Sequence, residues 1–75
     1  MVTFTIELDR EEDGRWIADV PALPGVLAYG ATQEEAIRRV QVLAFRVLAE
    51  QLEHEPDSPL VREGLRAVSF EARAA

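Results

Sequence analysis

The side chains best equipped for chemistry in this chain are its acids. In the run DREEDG, Asp9, Glu11, Asp13 and Gly14 stand at the first, third, fifth and sixth positions of a calcium-loop spacing, in which carboxylates converge on a hard cation around a glycine turn. The twelfth position, where a bidentate acid belongs, is Val20, and the flanking residues alternate as strands do. A solvated hairpin turn is the better reading. Asp9 and Asp19 could approach each other across that hairpin, as the metal-binding acids of a nuclease would, but a two-metal site needs more acids than can be gathered there. His54, the one histidine, has Glu53, Glu55 and Asp57 around it. One imidazole among flexible acids defines no coordination geometry, whereas a cation near a helix C-terminus is favoured by the dipole. Ser58 and Ser69 have no base and orienting group at a recognisable spacing, and there is no Cys, so no nucleophilic site can be assembled. The expectation is a protein without catalytic residues, metal or cofactor.

The same side chains suit docking. A net charge of -6 disfavours independent nucleic-acid binding, which needs a Lys/Arg surface, and favours a basic partner. Glu11, Glu12 and Asp13 at the hairpin tip, with Asp19, could steer and hold such a partner. Trp16 and Tyr29 are amphipathic aromatics of the kind that anchor interfaces. For both Trp16 and Tyr29 core packing is the competing assignment.

The elements that must position these residues can be read in order. Val2 to Leu8 alternates, with Val2, Phe4, Ile6 and Leu8 on one face and Thr3, Thr5 and Glu7 on the other, the pattern of a half-buried strand. Asp13-Gly14 closes a hairpin, and Arg15 to Val20 returns as the second strand, Trp16, Ala18 and Val20 facing one way and Ile17 and Asp19 the other. Pro21-Ala22-Leu23-Pro24-Gly25 breaks the strand, with Leu23 expected to plug the core, and Val26 to Tyr29 forms a third. The span from Gly30 to Glu53 is predicted to be a long helix, with Gly30 loosening its start. Thr32 caps it, Glu35 reaches back to the Thr32 amide, and Glu34 and Glu35 oppose the dipole. Ala36, Ile37, Val40, Leu43, Ala44, Val47 and Leu48 form its core stripe. Phe45, Ala49 and Leu52, joined by Leu48, make a second apolar strip, broader than one sheet requires, which points to self-association there and through the sheet edge. After a turn-rich connection in which Leu60 and Val61 are expected to add a short turn of helix or a contact with the core, Leu65 to Glu71 is a fourth strand at the sheet edge, and the last four residues fray. The predicted fold is a single α+β domain over residues 1–75, β-β-β-α-β, an antiparallel sheet with one long helix on one face. No secretory leader or membrane span is recognisable, so a soluble cytoplasmic protein is expected.

Read together, Asp13-Gly14, the strand from Arg15 to Val20, Pro21-Ala22-Leu23-Pro24-Gly25, Tyr29-Gly30, Thr32 and Glu34-Glu35-Ala36 resemble the N-terminal module of the HicB-like antitoxin family. In that family a D-G hairpin, an aromatic strand, P-x-L-P-G, a short strand, G-x-T-x-E-E-A and a long helix follow one another, and the likeness covers about the first fifty residues. The resemblance implies a partial ribonuclease-H-like fold without its catalytic carboxylates, assembly as homodimers or homotetramers, and a partner: HicA, a small basic mRNA-cleaving toxin that HicB proteins block. Family members often repress their own operon through a C-terminal DNA-binding segment, for which nothing remains here after the fourth strand. Direct operator binding is therefore not expected. Two alternatives stay open: an orphan homo-oligomeric binding or structural domain without a toxin, and a metal-dependent nuclease.

Overall fold

The computed structural model describes residues 1–74. Strand β1 is Val2–Arg10, β2 Trp16–Asp19, β3 Leu27–Gly30 and β4 Val68–Ala74; helix α1 is Gln33–His54 and the short α2 Pro59–Glu63. The strands form one sheet in the order β3-β2-β1-β4, with α1 laid on one face, a single α+β domain. Alternation on β1 is obeyed: Val2, Phe4, Ile6 and Leu8 are buried beneath the helix, alongside Ala18, Val20, Leu23 and Val26 and the helix residues Ala36, Val40, Ala44 and Leu48.

The hairpin joining β1 to β2 closes through the Gly14 N–H donating to the Glu11 carbonyl (2.9 Å) and the Glu11 N–H to the Arg15 carbonyl (2.7 Å). Gly14 sits at φ +91°, where a side chain would be strained. The resulting register sets Glu7 opposite Asp19 and Leu8 opposite Ala18. In the Pro-rich loop, the Leu23 N–H donates to the Val20 carbonyl (2.9 Å) and the Val26 N–H to the Leu23 carbonyl (3.0 Å). Two successive turns thus fold Leu23 inward, where it is 2% exposed, and deliver the chain to β3.

At the start of α1 the Thr32 hydroxyl accepts from the Glu35 N–H at 3.1 Å. The Glu35 carboxylate, however, accepts from the Ala31 N–H (2.9 Å), one residue earlier than the reciprocal cap predicted from sequence. Gly30 is no loose joint either. It is buried, and a Cβ there would lie 2.5 Å from the Ala36 backbone nitrogen, so its bare backbone is what lets β3 and the first helical turn meet. The Arg39 guanidinium locks the same junction by donating to the Tyr29 carbonyl at 3.0 Å.

The sheet is mixed. β4 lies on the outer side of β1 and runs parallel to it, Val2 opposite Val68 through Leu8 opposite Ala74, which corrects the expected all-antiparallel sheet. The direction has a simple cause: β2, β3, α1 and β4 each reverse the chain, so after four reversals β4 must run as β1 does. The strand also extends to Ala74, beyond the end at Glu71 expected from sequence. Ala72, Arg73 and Ala74, expected to fray, pair with Ile6, Glu7 and Leu8; Ala75 lies outside the described residues. Phe70 anchors β4, its ring 5.8 Å from Phe4 and 5.5 Å, edge-on, from Phe45. Among the described residues no helix is long and apolar enough to cross a membrane.

Candidate functional site

Because α1 covers one face of the sheet, the other is left open. Strand alternation and the pairing register put Thr3, Thr5, Glu7 and Asp9 of β1 on that face. They are joined there by Ile17 and Asp19 of β2, Leu27 and Tyr29 of β3, and Ser69, Glu71 and Arg73 of β4. Tyr29 and Leu27 are exposed. A shallow groove of about 320 Å³ runs along it, lined by Thr3, Thr5, Glu7 and Arg73 and bounded by Pro21 and Ala22. Thr3 and Ser69 hydroxyls bond across its floor at 2.9 Å.

The electrostatics of this face are unbalanced. Glu7 and Asp19 are direct cross-strand partners, a like-charge juxtaposition that destabilises a sheet, and Asp9 lies on the same face one diagonal step away. The only basic group of β1 or β4 facing them is Arg73, 3.6 Å from Glu7 on the side away from Asp19. Three acids thus line one side of a face whose other side carries Ile17, Leu27 and Tyr29. Among the described residues no group of three acids or histidines is placed to hold a metal ion. The arrangement suits a basic side chain arriving from a partner, with an apolar shelf beside it.

The hairpin tip adjoins this face through Arg15. Asp13 binds its own loop: its carboxylate accepts from the Arg15 backbone N–H (3.0 Å) and from the Arg15 Nε (2.7 Å). These hydrogen bonds, the backbone one first, hold its carboxyl below the usual carboxylate range. Arg15 also stacks over Tyr29, 4.5 Å from the ring centre, so part of the acidity is neutralised locally while Glu12 remains exposed and Glu11 half-buried.

The residues proposed for partner contact therefore do not form one surface. Asp19 and Tyr29 share the open face; Glu11, Glu12 and Asp13 cluster at the tip; Trp16 belongs to neither. It packs half-buried against the core on the helix side, beneath the Arg10 guanidinium at 5.5 Å. Its alternation with Ala18 and Val20 had already put it on that side. Glu7 was legible as a wet-face residue, but its pairing with Asp19 follows only from the hairpin register, and the contribution of Arg73 only from a β4 longer than expected.

Of the helix strip, Phe45 and Leu52 are 53% and 52% exposed, and Ala49 is exposed between them. Leu48 is a correction: at 4% exposure it is a core residue, because it continues the Ala36, Val40, Ala44 row of four-residue steps. Val42, 45% exposed, takes its place in the strip; its three-residue step to Phe45 was the available signal. His54 is exposed and within 3.8 Å of Glu50 and 3.7 Å of Glu53, a helix-end surface group.

No family model matches the chain, and no solved structure does. It is similar to the UPF0150 protein Ta0767 of Thermoplasma acidophilum, with 37% identity over 49 residues, 65% of this chain and 70% of that protein. With that much of both chains matched, the chain belongs to the UPF0150 family.

Proposed function

We propose that this protein is a HicB-type antitoxin module, a non-enzymatic domain that binds a small basic mRNA-cleaving toxin and blocks it sterically. Membership of UPF0150, a HicB-like family, supports the reading, as does the ordered run of hairpin, Pro-rich loop and capped helix. The observation that carries it is the open sheet face. Glu7 and Asp19 oppose each other across two strands with no cation between them, a local arrangement that costs stability and that a folded domain has no internal reason to keep. A partner Lys or Arg seated between the two carboxylates would turn that repulsion into a charge-assisted contact, with Leu27 and Tyr29 supplying the apolar area that polar contacts lack. Opposite charge on the partner would also speed encounter.

The test separates binding from folding. Where a short basic open reading frame adjoins the gene, co-expression with it should suppress that protein's toxicity and allow the two to co-purify. Asp19→Asn should leave the domain as stable as the parent, or more stable by up to about 0.5 kcal/mol because the cross-strand repulsion is relieved, yet weaken the complex roughly tenfold or more. No toxicity and no co-purification with the parent chain would favour the orphan binding domain instead. Undiminished binding by Asp19→Asn would remove the open face from the mechanism.

A further inference from the structure

Backbone hydrogen bonding leaves a gap inside the sheet. The Val2 N–H donates to the Ala67 carbonyl at 2.9 Å, so in the parallel ladder with β4 the even-numbered residues of β1 turn their N–H and C=O toward β4. The odd-numbered residues must turn theirs toward β2, as the Glu11 N–H does in donating to the Arg15 carbonyl. Yet β2 pairs only with Glu7 through Arg10. Continued past Asp19, the register would place Pro21 opposite Thr5 and Leu23 opposite Thr3. Pro21 has no N–H to give, and the Leu23 N–H donates back to the Val20 carbonyl as the chain turns into the core. Among the described residues, the N–H and C=O of Thr3 and Thr5 therefore have no backbone partner on this side. Both residues line the groove of about 320 Å³ that Pro21 and Ala22 bound.

We infer that this gap receives a short extended segment of a partner protein, added antiparallel to β1 in the line that β2 leaves at Asp19. Its occupant must offer a donor and an acceptor together at strand spacing, which is what a peptide backbone does. A residue seated opposite Thr5 shares the open face with it. That residue stands about 7 Å along the line from Asp19 and one diagonal step from Glu7. A Lys or Arg there reaches both carboxylates, which oppose each other across the strands while Arg73 lies on the outer side of Glu7. The next residue, opposite Phe4, turns toward the helix side, where Leu23 already fills the core, so only Gly or Ala fits. The third, opposite Thr3, returns to the open face. The segment reads basic, small, then polar, and its N-terminal flank lifts out of the sheet because β2 holds the next position. The outer edge of β3 offers no such match, since its Tyr29 carbonyl already accepts from Arg39 at 3.0 Å. The inference rests on the acidic open face of the proposed function and adds how a partner is held: main-chain bonds for affinity, one cationic side chain for specificity.

The test uses the full chain, isotope-labelled for NMR, and a capped probe peptide, acetyl-Arg-Ala-Thr-Val-Thr-amide. Saturable shifts of the Thr3 and Thr5 amides are expected, with a dissociation constant of about 1 mM. Methylating the peptide's Arg backbone nitrogen removes the donor to the Thr5 carbonyl and keeps the guanidinium. It should weaken binding roughly tenfold or more, as should replacing that Arg by norleucine or making Asp19→Asn in the chain. Thr5→Pro deletes an N–H that the β1–β4 ladder does not use, so the circular dichroism should persist while peptide binding is lost. If that variant does not fold, the methylated peptide decides. Absence of shifts up to about 10 mM peptide, or binding indifferent to the backbone methyl, overturns strand addition. So does a short single-stranded RNA that moves the Thr5 amide where the peptide does not. Failure of the peptide alongside intact toxin co-purification refutes strand addition alone, and failure of both removes the open face as a docking surface.

Discussion

Gly30→Ala is a severe test of how the helix and sheet are joined. The new methyl carbon would stand 2.5 Å from the Ala36 nitrogen, 3.0 Å from its Cα and 3.0 Å from the Glu35 carbonyl carbon. All three are backbone atoms in the first turn of α1, so no side chain can rotate away. Relief requires β3 and the helix start to separate by about 1 Å, the gap between these distances and ordinary van der Waals contact. That displacement loosens the Ala31-to-Glu35 and Arg39-to-Tyr29 hydrogen bonds, which span the same junction at 2.9 and 3.0 Å. Overpacking of a well-packed site costs about 1–3 kcal/mol, and with rigid backbone on both sides the upper end applies. Against it stands about 0.4–1 kcal/mol gained by restricting the unfolded chain. The net expectation is a loss of about 2 kcal/mol, or roughly 8–16 °C in Tm for a domain of this size. Gly25→Ala is the control, since it meets nothing within 4 Å and carries only the strain of φ +83°, about 1 kcal/mol. Urea unfolding followed by Trp16 fluorescence, at matched protein concentration, measures both. If Gly30→Ala is no less stable than Gly25→Ala, close approach is not what the glycine provides.

Phe70→Ala should cost about 2–3 kcal/mol, below the figure for a fully buried ring because Phe70 is half-buried, and it should detach β4 from Phe4 and Phe45; amide exchange in residues 68–74 accelerating ahead of the rest would show it. Thr32→Ala removes the cap hydroxyl that accepts from Glu35 and should cost about 1 kcal/mol, read from the same unfolding curves. Asp13 has its pKa lowered from 3.8 by the Arg15 hydrogen bonds. Its contribution is therefore present above that value and lost as pH falls below it toward the folded pKa. The parent should lose slightly more stability than Asp13→Asn between about pH 5 and pH 3, and by NMR its carboxyl should titrate below the ordinary aspartate value. Equal pH dependence in the two proteins would mean that the loop hydrogen bonds do not persist in solution.

Most of the framework is local and so was legible. Val2 to Leu8 shows its buried face by alternation alone, Asp13-Gly14 specifies a turn, and Thr32 marks the helix start to the residue. What escaped the sequence reading depends on distances along the chain. Ala72 to Ala74 have weak strand propensity, and they are ordered by the β1 edge, whose free backbone groups must be paired. Leu48, assigned from sequence to both the core stripe and the outer strip, belongs to the core row alone, and Val42, assigned to neither, is exposed. The open face was missed as a unit because Glu7, Asp19 and Arg73 come from three strands. Only the hairpin register and the parallel β4 bring them together.

Placing the two surfaces in one frame gives a consequence that neither has alone. The open face lies on the far side of the sheet from α1, and the Val42 to Leu52 strip runs along the exposed flank of α1, where Phe45 also touches Phe70 of β4. With two copies joined along that flank, both open faces stay uncovered. Neither surface covers any part of the other, so self-association and partner binding are independent at the level of contact. The dimer then presents two equivalent acidic faces, and a partner that itself pairs or is presented in pairs gains effective concentration at the second site without a new contact. Disrupting the strip by Ala49→Glu should accordingly leave the affinity of one face for one partner molecule unchanged while removing any excess held by the dimer. Asp19→Asn should do the reverse, lowering the affinity of each face while the dimer persists. If one substitution abolished both properties, the two surfaces would have to be a single site, which their separate places on the fold forbid.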